Sequence, residues 1–174
     1  MKKVALFIAF QGFRDEEYSE PRRVLEKAGI KVDTVSTCRG SARGKIKITV
    51  EVDRTVDEVN CADYDCLALV GGPGALQHLD NTKVHLLFSS FHASGKPVAA
   101  ICISPVILAH AGLLKGKKAT VFPDGAEELR KAGAIYTGAT CEKDGNIITA
   151  DGPASARSYG EAIVEALKGQ GEIQ

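Results

Sequence analysis

Short apolar runs separated by helix-like segments leave this chain few ways to fold. Val4-Ala5-Leu6-Phe7-Ile8-Ala9-Phe10, Cys66-Leu67-Ala68-Leu69-Val70 and Val98-Ala99-Ala100-Ile101 read as buried strands, because they are continuously apolar rather than alternating. Between them lie segments with apolar residues three and four apart, closed by glycine. Strands alternating with helices of about a dozen residues imply an α/β fold, a doubly wound and mostly parallel sheet with helices on both faces.

Taken in order, helices are expected over residues 15–28, 56–60, 82–93, 105–114, 126–132 and 154–167. Further strands are expected over 30–37, 119–122 and 134–137, and a hairpin turning at Asp144-Gly145. Residues 40–44 read as a loop. Ile46, Ile48, Val50 and Val52 then alternate with polar residues, as in a half-exposed strand or hairpin. There is no internal repeat and no linker, so one domain is expected over 1–168, followed by a flexible tail over 169–174.

Charge and cysteine usage narrow the function. Lysine plus arginine and aspartate plus glutamate both number 22, so no electrostatic surplus points to nucleic acid or an anionic membrane. Met1-Lys2-Lys3 and the apolar run behind it imitate a signal peptide, but the run stops at Gln11-Gly12 without a small-residue cleavage site. A first buried strand and a cytoplasmic protein are expected, with no span long enough for a bilayer. The five cysteines, Cys38, Cys61, Cys66, Cys102 and Cys141, form no C-x-x-C pair and have no zinc-finger histidines. Neither a disulfide framework nor a metal is expected. Gly71-Gly72-Pro73-Gly74 lacks the residues of a phosphate loop and of G-x-G-x-x-G, so no cofactor is expected either.

Three features fall at the carboxyl ends of expected strands, where open α/β sheets bind ligands. The first is Cys102, followed at once by Ser104 as a helix N-cap and Pro105 at the first helical position. A thiol on such a strand-to-helix elbow is either an exposed nucleophile with amides behind it or one more buried small hydrophobe. Cys66, in mid-strand, reads as inert. The second is Glu17, on the inward stripe of the first helix, whereas Asp15 and Glu16 fall on the solvent side. A carboxyl buried there costs several kcal/mol unless protonated or hydrogen-bonded; the alternative is an acid complementing the helix dipole. The third is Gly71-Gly72, whose amides can point at an oxyanion. His85, His92 and His110 read as surface or helix-end residues, while His78, shortly after the glycines, stays open.

These residues resemble the ThiJ/PfpI superfamily, which is class I glutamine amidotransferase-like and includes the Parkinsonism-associated deglycase and archaeal intracellular proteases. The marks are Phe13-Arg14-Asp15-Glu16-Glu17, Leu69-Val70-Gly71-Gly72-Pro73-Gly74, Gly95-Lys96-Pro97-Val98-Ala99-Ala100-Ile101-Cys102, Glu142-Lys143-Asp144-Gly145-Asn146 and Asp151-Gly152-Pro153. The resemblance implies a flavodoxin-like fold, a homodimer or larger homo-oligomer, and a reactive Cys102. It also implies a mostly protonated Glu17 hydrogen-bonded to the sulfur, and an oxyanion pocket from the amides of Gly72 and Ile103.

The chain departs from the family's better-known chemistry. Ile103 stands where the protease branch has a histidine, and no acid occurs between Gly72 and Leu79. Peptide hydrolysis thereby loses its general acid. No histidine follows His110, as the His-x-Glu pair of amidotransferases requires, and Phe122 precedes Pro123 where the deglycase branch often has a histidine. The expected function is a cysteine-dependent stress protein of the deglycase or glyoxalase type, a hydrolase or lyase acting on reactive aldehydes, dicarbonyls such as methylglyoxal, or their thiol and amine adducts. Cys102 attacks the carbonyl and Glu17 shuttles the proton. The alternative is a non-catalytic redox sensor or chaperone with an oxidisable Cys102. Isonitrile hydration would need a second carboxylate, for which Asp151 is a distant candidate.

Overall fold

The computed structural model describes residues 1–170. Its strands are β1 (Lys3–Phe7), β2 (Gln11–Phe13), β3 (Lys31–Ser36), β4 (Ser41–Gly44), β5 (Thr49–Glu51), β6 (Arg54–Thr55), β7 (Cys66–Leu69), β8 (Val98–Ile101), β9 (Lys118–Ala119), β10 (Ile135–Tyr136), β11 (Cys141–Asp144) and β12 (Ile147–Ala150). Its helices are α1 (Asp15–Lys27), α2 (Thr82–Ala93), α3 (Pro105–His110), α4 (Ala126–Lys131) and α5 (Ala156–Gly169). The central sheet runs β11-β12-β8-β7-β1-β3-β6 and is parallel except for β11, which returns antiparallel to β12 through the Asp144-Gly145 turn.

The continuous apolar runs became strands covered on both faces. Successive side chains of a strand point to opposite sides, and the core divides accordingly. On one face Val4, Leu6, Ile8 and Ala68 meet Tyr18 and Leu25 of α1 and Tyr159 and Ile163 of α5. On the other, Ala5, Phe7, Leu67 and Leu69 meet Val84 and Phe88 of α2, Ile107 and Leu108 of α3, and Leu129 of α4. The mostly parallel sheet flanked by helices is the architecture expected from the alternation of runs. Among the described residues, no helix is long and apolar enough to cross a membrane.

Several local expectations changed. Residues 40–44 are not a loop, because Ala42 is buried and β4 pairs with β2 and with β5 in a separate three-stranded sheet. The alternating stretch is one arm of that hairpin. The expected strand 119–122 shortens to β9, which pairs only with β10. Past β9 the Phe122 amide is drawn to the Cys102 carbonyl, at 2.7 Å. The helix expected over 105–114 stops at His110, released by Gly112 at φ +79°. α5 runs through Gly169, past the expected domain edge at 168; of the expected tail, residues 171–174 lie outside the described residues.

α1 and α5 approach closely because Gly160 faces Pro21. A Cβ at Gly160 would lie 2.9 Å from Pro21 Cα and 3.1 Å from Val24 Cβ. Backbone cannot retreat as a flexible side chain can, so overpacking here is costly. Gly160→Val is expected to destabilise the fold by about 2 kcal/mol, read as a drop in thermal midpoint of several degrees. An unchanged midpoint would contradict this packing.

Candidate active site at the Cys102 elbow

Cys102 follows β8 directly and has φ +62°, the one positive φ outside glycine among the described residues. A non-glycine residue there costs of order 1–3 kcal/mol and persists only where its surroundings over-determine it. Here they do. The Cys102 amide donates to the Ala150 carbonyl of β12 at 2.9 Å, and its carbonyl accepts from the Phe122 amide at 2.7 Å. The Ser104 hydroxyl does not cap α3 as expected. It turns back, accepting from the Ile101 amide at 3.0 Å and donating to the Ile101 carbonyl at 2.7 Å.

Glu17 reaches this elbow from the first turn of α1. Its side chain is completely buried, and Oε1 accepts from the Gly71 amide at 3.1 Å. Gly71 fills the gap between the three elements: a Cβ there would lie 2.6 Å from Glu17 Oε1, 2.7 Å from Cys102 Cβ and 2.7 Å from the Ile101 carbonyl. Gly72, at φ +103°, has no room either, since a Cβ would strike the Arg14 amide. Close approach therefore requires glycine at both positions, and at Gly72 the backbone conformation requires it as well.

The structure thus brings Cys102, Glu17, Gly72 and Ile103 together. Glu17 and Cys102 lie close enough for each to shift the other's titration, and the Ile103 and Gly72 amides favour the thiolate. Glu17 Oε2 has no conventional hydrogen-bond partner among the described protein groups. Burial pushes Glu17 up to about 7, against the downward pull of the Cys102 thiol, the Arg14 guanidinium and the Gly71 amide. Burial also raises Cys102, and the Glu17 carboxylate raises it further; the Ile103 and Gly72 amides oppose this, leaving it at about 12. The two groups titrate as a pair. The first proton leaves near neutrality, and the second is held because it must depart against an existing negative charge.

No histidine lines the cleft beside Cys102. His78, left open by the sequence, is buried edge-on against Phe7, with Nδ1 3.2 Å from Asn81, and burial lowers its pKa. His110 is tied between Asp80 at 2.8 Å and Glu128 at 3.0 Å. Asp151 accepts from the Ser155 hydroxyl at 2.6 Å and does not line the cleft. Cys66 is fully buried, and burial raises its pKa, as befits an inert thiol.

The cleft has a volume of about 360 Å³ and places Arg14, Lys45, Leu76, Phe122, Asp124 and Pro153 around Cys102 and Ile103. Sequence reasoning assigned none of those six to the site. Arg14 carried a local signal, since it lies one helical turn before Glu17; Lys45 comes from the β4–β5 hairpin and had none. Phe122 occupies the position at which the resemblance expects a histidine, so the position faces the site and the imidazole is absent. Asp15, expected toward solvent, is instead buried, at 7% exposure. It accepts from the Ile46, Lys47 and Ile48 amides at 3.1, 2.8 and 2.9 Å. Helical periodicity could not show a partner thirty residues away. A depression of about 390 Å³ lined by Lys2, Ala28, Ile30, Val164, Leu167 and Lys168 lies at the opposite end of the sheet and holds no nucleophile.

An α/β sheet with a cysteine on a strained elbow, beside a buried acid, defines a recognisable class of proteins. The chain belongs to the DJ-1/PfpI family, whose profile matches residues 2–166. It is 46% identical over 173 residues to an uncharacterised protein of Methanocaldococcus jannaschii, covering 98% of this chain and 84% of that one. It is 34% identical over 163 residues to a protein named a deglycase in Pyrococcus horikoshii, covering 94% and 98%. The crystal structure of a ThiJ/PfpI domain protein from Brachyspira murdochii superposes with a TM-score of 0.94 at 30% identity, covering 96% of each chain.

Glu17 makes stability depend on pH. Its folded pKa of about 7 lies above the ordinary 4.5. Between those values the unfolded chain has released the proton and the folded one retains it, so stability falls as pH rises. The contribution is fully present below the lower value and lost above the upper one. Relative to Glu17→Gln, the wild type is expected to lose about 3 kcal/mol between about pH 4 and about pH 8 in denaturant titrations. Parallel curves for the two proteins would contradict a proton on Glu17.

Proposed function

We propose that this protein is a cysteine-dependent enzyme of carbonyl stress, of the deglycase or glyoxalase type. The reading is carried by one observation: a strained cysteine, a buried carboxyl that holds its proton near neutrality, and two backbone amides meet in a cleft with no imidazole. Such a site can add a thiolate to a carbonyl without needing a general acid for a leaving amine. In the reactive form, the less populated tautomer of the singly protonated pair, Cys102 is a thiolate and Glu17 carries the proton. The sulfur adds to an aldehyde carbon, the carbonyl oxygen becomes an oxyanion held by the Gly72 and Ile103 amides, and Glu17 delivers its proton to give a hemithioacetal. The deglycase name of the Pyrococcus horikoshii relative supports the same chemistry.

Peptide hydrolysis is not favoured, because Ile103 supplies packing where a general acid is required. A redox-sensing role has one observation behind it: the two amides that would hold an oxyanion would equally hold the sulfinate of an oxidised Cys102. A cytoplasmic homo-oligomer, built from one domain, completes the reading.

Wild-type protein is expected to consume methylglyoxal, and Cys102→Ala to fall at least about 100-fold while Cys66→Ala keeps its activity. Intact-mass measurement after mild peroxide accompanies the assay. Full activity in Cys102→Ala, or none in the wild type, would refute the enzyme; selective oxidation of Cys102 without turnover would establish the sensor in its place.

A further inference from the structure

Lys45 reaches the cleft from the turn of the β4–β5 hairpin, and that turn is unusually well held for an exposed segment. The buried Asp15 carboxylate binds the Ile46, Lys47 and Ile48 amides, the Lys45 amide donates to the Phe13 carbonyl at 2.8 Å, and the Gly44 amide donates to the Ile48 carbonyl at 2.8 Å. A Cβ at Gly44 would collide with the Asp15 carboxylate, so the turn sits directly on the start of α1. The desolvation cost of burying Asp15 is offset by those three amides, which hold its carboxyl below the usual range. The chain thus buries a charge to fix the backbone that presents Lys45.

Arg14 stands beside it, at the N-terminus of the same helix. Its Nε donates to Glu16 at 2.6 Å, an ion pair that orients the guanidinium and partly offsets its charge, and Glu17 and Cys102 lie within reach of its field. Asp124 is the carboxylate in the cleft lining, and Leu76, Phe122 and Pro153 supply apolar wall. Two cationic residues, from two elements that Asp15 ties together, therefore line the cleft that holds the thiol. Neutral dicarbonyls have no use for them, whereas a substrate with its own negative charge does.

We propose that Arg14 and the Asp15-anchored Lys45 select reactive aldehydes that carry an anionic group, carboxylate or phosphate, close to the carbonyl. The inference rests on the carbonyl chemistry proposed above and adds the class of substrate. The anion sits against the two cations, the aldehyde carbon meets the Cys102 sulfur, and the apolar wall covers the connecting carbons. The C–S bond forms as the carbonyl π-pair moves to oxygen, and that oxygen takes the Glu17 proton.

The test uses a matched pair of thiol reagents, iodoacetate and iodoacetamide, which differ in charge and little in size. Each forms an S–C bond at Cys102 and releases iodide, so the ratio of their rates reads selection for negative charge without turnover. The ratio at Cys102 is expected to exceed that of a short cysteine peptide measured alongside and to fall as salt is raised. It is expected to fall about threefold to tenfold in Lys45→Met, and further in Lys45→Glu. A wild-type ratio no higher than the peptide's, or one unmoved in both variants, overturns the proposal. Methylglyoxal consumption is measured on the same samples: its absence with the ratio intact refutes the carbonyl reading alone, and its presence with no charge selection refutes anion selection alone.

Discussion

The left-handed backbone at Cys102 is the constraint on which the site depends. A residue forced to φ +62° would relax if it could. Its amide is held by β12, its carbonyl by the chain entering at Phe122, and the turn behind it by the Ser104 hydroxyl. β12 and β7 flank β8 in the sheet, so the elbow is framed by its neighbours on both sides. Gly71, at the end of β7, leaves the space through which Glu17 reaches the sulfur. Sheet order, glycine placement and the first turn of α1 thus serve a single geometry.

That geometry sets the electrostatics. A fully buried carboxyl and a half-buried thiol close to it cannot both ionise near neutral pH, because burial and mutual repulsion act in the same direction. The pair keeps one proton over a wide range. Amides from Gly72 and Ile103 favour charge on sulfur, and the buried carboxyl is the acid that the proposed carbonyl adduct would need. Among the described residues no imidazole lines the cleft, and the proposed carbonyl addition is a step that one acid and two amides can serve. Arg14, Lys45 and Asp124 line the cleft around that centre.

Local physics made the skeleton legible. Continuous apolar runs announced strands covered on both faces, and the elbow at Cys102, the inward Glu17 and the paired glycines could be placed at strand ends from spacing alone. What escaped was whatever depended on a distant partner. Asp15 looked solvent-facing because its helix stripe said so, yet its three amide donors come from a turn thirty residues on. Ser104 looked like a helix cap, but a closer carbonyl and amide at Ile101 captured its hydroxyl. Residues 40–44 carried loop chemistry in their two glycines and Ser41, and only the pairing with β2 and β5 made 41–44 a strand. Lys45 entered the cleft by the same long-range pairing.

The central claim is that Glu17 holds a proton beside Cys102 at neutral pH. Carbon NMR of protein labelled at glutamate carboxyls, with the Glu17 signal assigned by its loss in Glu17→Gln, measures this directly. The account predicts a titration midpoint near 7 for Glu17 in the wild type, well above the ordinary 4.5. A midpoint at the ordinary glutamate value would mean that a carboxylate faces the sulfur at neutral pH, and would contradict the mechanism.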